Sequence, residues 1–339
     1  MLKFGTKGFF ISFFIMAVIV VFGLWINFER AACIKNMKIE FQRFQDSIID
    51  AGLDISYSDL QFSKSSIFGV MVIKDLRINN LKANNYIEYY AHQVKLNPSL
   101  FNIGKIKITF DGEQKLKQGE DSYNVFLSEF SILLGFCKYD GLKSISVIGK
   151  EIEIEDIIKI GSLKLASQKM SPQQINYLAP FFENHLELND IEVTTTEPWP
   201  ISKEVKRVYL NANIVGALKS HASYKDSIMQ WLSSGGMIDI KKLNINWDNF
   251  VMVGKGDIYF NESMEPSLHL NTSSKGMLAF IDNLQGSDFL DSKGVFVAKI
   301  LLGNKAFKLK EDDKYFTITT PINVNKNELT VENIAIKKF

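Results

Sequence analysis

Few side chains in this 339-residue sequence are spaced for covalent or metal chemistry. The soft and imidazole ligands amount to four histidines (His92, His185, His221, His269) and two cysteines (Cys33, Cys137). No HxxxH or CxxC spacing pairs any of them, which a zinc site would need. The two cysteines read as unrelated thiols, with Cys137 buried behind an apolar run. There is no G-x-S-x-G turn to expose a nucleophilic serine, and no glycine-rich loop ending in Gly-Lys-Ser/Thr to cradle a phosphate. The densest acidic group is Glu151, Glu153, Glu155 and Asp156. On a strand the first three share one face, and nothing supplies the loop geometry of a calcium site, so a solvated strand face is expected. Lys310-Glu-Asp-Asp-Lys-Tyr315 reads as a turn. The chain is therefore read as no enzyme, with no cofactor and no metal. What remains is binding: Trp231 and Trp247 are large enough to line an apolar groove or to anchor a core. Gly254 and Gly256 alternate on a strand, where they let another group pack closely.

The elements that must position these residues are mostly strands. From Leu53 onward the apolar residues recur at period two. Strands are expected over Leu53–Phe62, Phe68–Ile78, Ile87–Leu96, Lys105–Phe110, Asn124–Leu134, Ser144–Ile148, Gly161–Ala166, His185–Thr195 and Val208–Ile214. Five more follow at Met237–Trp247, Phe250–Phe260, Ser267–Leu270, Tyr315–Val324 and Leu329–Ile336. Three amphipathic helices interrupt them. One starts at Pro172 behind an Ser171 N-cap, with Ile175, Leu178, Phe181 and Phe182 apolar; the others are Tyr224–Leu232 and Met277–Leu284. Residues 292–302 fit either helix or strand. The pattern apolar-x-x-apolar-x-apolar recurs at Ile73–Ile78, Ile160–Leu165, Leu188–Val193, Ile240–Ile245 and Val331–Ile336. Two successive polar residues break the alternation as a β-bulge would, and a series of bulges would curve a sheet into a groove. Ordinary bent strands in a sandwich would give the same pattern.

The front of the chain is of a different kind. Gly8–Phe28 holds no charged side chain and matches the hydrocarbon thickness of a bilayer, about 20 apolar residues. Its apolar body is Phe9, Phe10, Ile11, Phe13, Phe14, Ile15, Val18, Ile19, Val20, Val21, Phe22 and Leu24, with Trp25 at the interface end. The run is longer than a signal-peptide core, and Arg30 stands where a cleavage site wants a small residue, so the helix reads as an uncleaved anchor. Positive charges flank it almost evenly, yet a short N-terminal tail stays inside while long domains cross regardless. The layout is then a cytoplasmic tail over 1–7, a transmembrane helix over 8–28, a juxtamembrane helix over 29–51 ended by Gly52, and a β-rich region over 52–339, with a sub-boundary near 171–184. With 39 basic and 38 acidic residues the net charge is +1, which argues against a nucleic-acid surface.

The segment Trp231–Leu284 resembles the bacterial domain of unknown function 2125 family. It carries Trp231, Gly235-Gly236, the strand Ile238–Trp247, Gly254-Lys-Gly256, Pro266 and the helix Met277–Leu284 in that family's order. Asp248 and Ser267 stand where the family favours glycine. The family-like part spans about 185–339, and its layout resembles the AsmA-like envelope proteins. The resemblance implies a mainly β protein with a few amphipathic helices, its curved antiparallel sheet projecting from the bacterial inner membrane into the periplasm. It also implies lipid handling, with the bilayer and a phospholipid ligand as partners. The alternative is a non-enzymatic adaptor that binds envelope proteins.

Overall fold

The structure is a computed structural model. It describes residues 53–63, 70–80, 86–98, 104–137, 141–170, 180–195, 202–216, 224–261, 265–284, 318–325, 328–331 and 334–338, together with Phe41, Gln45, Asp46, Ile49, Phe296, Lys299 and Ile300. The expected anchor, Cys33, the turn at 310–315 and the helical start at 171–179 lie outside these residues. Among the described residues no helix is long and apolar enough to cross a membrane. Phe41, Gln45, Asp46 and Ile49 are helical, and so are Phe296, Lys299 and Ile300.

The chain divides into two compact units. The first holds β1 (Leu53–Ser56), β2 (Asp59–Ser63), β3 (Val70–Asn80), β4 (Ile87–Pro98), β5 (Lys105–Gln118), β6 (Asp121–Cys137) and β7 (Gly141–Ile154). These strands form an antiparallel meander from β3 to β7, with β1 and β2 in turn along the free edge of β3. Its inner face is closed: Met71, Ile73, Ala91, Leu116, Leu134 and Leu142 are each at most 2% exposed. One polar pair lies within it, Tyr89 donating to Gln114 Oε1 at 2.5 Å. Burial pushes the Tyr89 phenol well above its usual range, so it stays a donor.

The second unit holds β8 (Ile158–Lys169), β9 (Pro180–Val193), β10 (Glu204–Val215), β11 (Met237–Trp247), β12 (Phe250–Phe260), β13 (Pro266–Lys275), β14 (Ile318–Asn325), β15 (Glu328–Val331) and β16 (Ile334–Lys338). Each strand pairs antiparallel with the next. Two helices interrupt the order, α1 (Tyr224–Ser233), which belongs to this unit from Met229 and to the first unit before it, and α2 (Met277–Leu284). Phe181 and Phe182, expected on a helix, belong to β9 instead. Phe182 continues the period of Asn184, Leu186 and Leu188 and is 4% exposed, while Lys169 Nζ lies 5.5 Å from the Phe181 ring.

Four of the apolar-x-x-apolar motifs carry an irregularity inside a strand. Asp75 and Asp190 hold the same third position and both adopt left-handed backbone (φ 51° and 53°). An acidic side chain tolerates that region through local hydrogen bonding. Ladder pairing skips each of them, so Ile73 and Leu76, three residues apart, still bury on one face. In β11 the register shifts at Lys241 and Lys242, where one extra residue keeps Ile240 and Leu243 in phase. In Ile160–Leu165 the ladder passes over Gly161, which faces Asp190, and Val331 and Ile334 pair across the end of a hairpin.

The two inner faces should answer truncation differently. Leu116→Ala, at a fully buried site, should cost about 2–5 kcal/mol. Leu210→Ala, at a half-buried one, should cost about 1 kcal/mol in proportion to the area it hides. Urea titrations of the two variants against the parent chain read the difference.

Candidate functional site

The inner face of the second unit is built from rows of residues that face one another across strands. One row runs Leu163, Leu188, Val208, Ile245, Met252, Ser274 from β8 to β13. The next runs Leu165, Leu186, Leu210, Leu243, Gly254, Thr272 along the same strands. Over β8–β11 the eight aliphatic side chains of these two rows are only half-buried. Over β12 and β13 the rows sink, with Met252 at 8% and Thr272 and Ser274 at 1% exposure. A neighbouring row forms the buried cluster of Ala212, Ile240 and Leu270. The opposite face is polar, carrying the ion pairs Arg207–Glu187 at 2.9 Å and His185–Glu183 at 3.2 Å.

Both ends of this face, measured along the strands, are stopped by an aromatic cluster. At one end α1 supplies Trp231, 8% exposed, whose indole N–H donates to the Val215 carbonyl at 2.8 Å and whose ring lies 6.2 Å from Phe260. The helix stops in a Schellman motif: Gly236 N–H donates to Trp231 O (2.8 Å) and Gly235 N–H to Leu232 O (3.0 Å). Gly235 takes the left-handed position, φ 83°. Gly236 has no room for a Cβ because the Trp231 ring lies against it. At the other end Phe280 of α2 stacks on Phe250 at 4.3 Å and meets Trp247 at 5.6 Å. The Trp247 indole N–H donates to Ser202 O at 2.7 Å. Asp248 follows in left-handed backbone (φ 51°), the conformation that glycine adopts most readily.

The residues of the Trp-Gly-Gly pattern are thus gathered on one sheet, Trp231, Gly235 and Gly236 at one end and Trp247 at the other. Gly254 sits between them, a Cβ there meeting the Thr272 methyl at 3.2 Å. At Gly256 a Cβ would run into the His269 carbonyl. Pro266 opens β13 opposite Phe260 and is exposed, at a strand start where no donor is lost. Ser274 and Thr272, and the half-buried leucines of β8–β11, are parts of the face that residue spacing alone did not single out.

The first unit holds a polar constellation that only strand pairing reveals. Asp75 accepts from Ser58 Oγ at 2.6 Å and from Tyr90 OH at 2.8 Å, and His92 Nδ1 lies 3.1 Å away. The residue types are those of a hydrolase triad, but the serine donates to the acid and not to the histidine. No imidazole therefore faces the hydroxyl, and the set pins the left-handed Asp75 between the start of β2 and β4. A shallow depression of about 290 Å³ nearby is lined by Arg77, Glu88, Tyr90, Glu113, Lys115, Lys117 and Ser122. Its charges answer one another, Lys115 pairing with Glu113 at 2.7 Å and Arg77 lying over Tyr90. In the acidic run, Glu155 accepts from the Asn124 side-chain amide at 2.6 Å, while Glu151 and Asp156 take left-handed turns.

Hydrogen bonds from Ser58, then Tyr90 and His92, hold the Asp75 carboxyl below its usual range. A lowered folded pKa gives stability that is complete above the ordinary carboxylate pKa and lost as pH falls through the folded value. Asp75→Asn, which also tolerates left-handed backbone, should flatten the strongly acid limb of the stability profile by lowering stability at neutral pH and leaving the most acid end little changed. Urea midpoints at graded pH would read this. Trp231→Ala should destabilise by about 3–5 kcal/mol, removing a buried ring and orphaning the Val215 carbonyl. A thermal melt measures it, and an unchanged melting point would show that the ring bears no core load.

No protein-family model matches the chain, and neither the curated proteins nor the solved structures contain a match to it.

Proposed function

We propose that this chain is a non-enzymatic lipid-handling protein of the bacterial envelope. Gly8–Phe28 anchors it in the inner membrane and the β-rich region stands in the periplasm. The second unit holds acyl chains against its apolar face, which curves into a groove in the AsmA-like manner and passes lipid, phospholipid included, towards another membrane. The observation that carries this reading is the half-buried pair of aliphatic rows over β8–β11, bounded by the Trp231 and Trp247–Phe280 clusters. A sheet that closes on its own core buries such rows, and exposed contiguous apolar surface marks a binding face. The Trp-Gly-Gly family pattern supports the reading, since its residues build the two ends of this face and the turn that sets α1.

Native mass spectrometry of the full chain, released from a mild detergent, should show co-purified acyl lipid at fixed stoichiometry. Leu210→Arg, on the inner face of β10, should lose it, and Tyr209→Arg, on the outer face of the same strand, should retain it. Equal lipid in both variants would assign the lipid to the anchor. The adaptor reading, with a sheet that serves only to bind other envelope proteins, would then take its place.

A further inference from the structure

Two further rows lie beyond the leucine row on the inner face of the second unit. The first opens with Ser167 on β8 and Asn184 on β9, then turns apolar at Ala212 and Ile240. The second opens with Lys169 and Phe182 and runs on through Ile214 and Ile238. Across these four rows, from β8 to β14, Lys169 is the only charged residue. The alternation of β8 fixes its side: Leu163, Leu165, Ser167 and Lys169 are half-buried, whereas Lys164, Ala166 and Gln168 between them are exposed. Its ammonium group is held on that side too. The ladder between β9 and β10 passes over Phe181, whose ring lies edge-on to that of the buried Phe182, with centroids 4.9 Å apart. Lys169 Nζ lies 5.5 Å from the Phe181 ring, a contact that leaves the cation its charge. Beside a low-dielectric wall an opposite charge is attracted more strongly than in open water. The corner thus runs in the order that an acidic amphiphile needs: a cation, then a hydroxyl and an amide, then leucines.

We propose that the lipid on this face carries an anionic phosphate head, seated against Lys169. The glycerol and ester oxygens lie over Ser167 and Asn184, and the acyl chains run from Leu165 and Leu186 across β10 and β11. Two row spacings, about 13 Å along the strand, separate Lys169 from Leu165, which leaves space for those polar groups. A head with its own ammonium group, such as phosphatidylcholine, brings a second cation to Lys169 and is disfavoured. This assignment rests on the proposed lipid-binding face and names the class of lipid it prefers.

The test incubates the full chain in mild detergent with equal amounts of dioleoyl phosphatidylglycerol and dioleoyl phosphatidylcholine, which differ only in the head. Native mass spectrometry reads the bound lipid, and only lipid that Leu210→Arg removes is counted, which sets aside any lipid around the anchor. The parent chain should favour phosphatidylglycerol by about fivefold, the scale of one half-exposed ion pair. Lys169→Gln should lose that excess, and Lys169→Arg, which keeps the charge, should retain it. Lys164→Gln, on the outer face of the same strand, should match the parent. If the parent takes both lipids equally, or the excess survives in Lys169→Gln, the headgroup assignment is overturned and the lipid face stands. If the parent carries no lipid that Leu210→Arg removes, both readings fall.

Discussion

The structure depends on keeping a two-residue alternation in phase along strands of 10–17 residues. Each strand of the second unit is hydrogen-bonded to the next in sequence, so every strand inherits its facing from its neighbour. A slip of one residue anywhere would carry a leucine row to the polar side. Long strands twist, and strict alternation does not survive twist and bend without local correction. The corrections are visible as individual residues. Asp75 and Asp190 turn left-handed within their strands, and Lys241-Lys242 adds one residue to β11. Each restores the phase of the apolar residues on either side, and each places polar or charged side chains where the backbone bends.

Given that phase, the two units use their inner faces differently. In the first, the aliphatic residues from Met71 to Leu142 are essentially sealed, and even the polar Tyr89–Gln114 pair is satisfied inside. In the second, burial is concentrated on Ala212, Ile240 and Leu270, while the leucines of β8–β11 stay half open. The difference does not come from composition, since both faces are rich in leucine, isoleucine and valine. In the second unit the aromatic residues Trp231 and Phe280 sit at the ends of the strands.

Much of this was legible in the sequence because period-two alternation is a local signal. β11 and β12 match their expected bounds, and α1 and α2 were marked by spacing and by Gly235-Gly236. Strand lengths were less legible. Lys115–Gln118 and Asp121–Tyr123 lie outside the expected strands, yet they extend β5 and β6 as a paired hairpin with Lys115 and Lys117 on the outer face. Phe181 and Phe182 looked like the end of a helix because two aromatics in a row suit either period. The Asp75 cluster was invisible, since Ser58, Asp75, Tyr90 and His92 meet only through the pairing of β2, β3 and β4. Ser274 was equally hidden: among Asn271, Thr272, Ser273 and Lys275 it looks like one more polar residue, and only register places it inward.

The geometry of a pleated sheet also decides which way a ligand would lie. Neighbours within a row are about 4.8 Å apart, while successive rows are separated by two residues of strand, about 6.7 Å. Side chains along a row therefore touch and form a ridge, and the furrows between ridges run across the strands. The furrow between the Leu188–Val208 row and the Leu186–Leu210 row is such a channel, flanked by methyl groups on both sides. Aromatic clusters at the strand ends block travel along the strands and leave travel across them open. A flexible alkyl chain gains contact with both ridges by lying in the furrow.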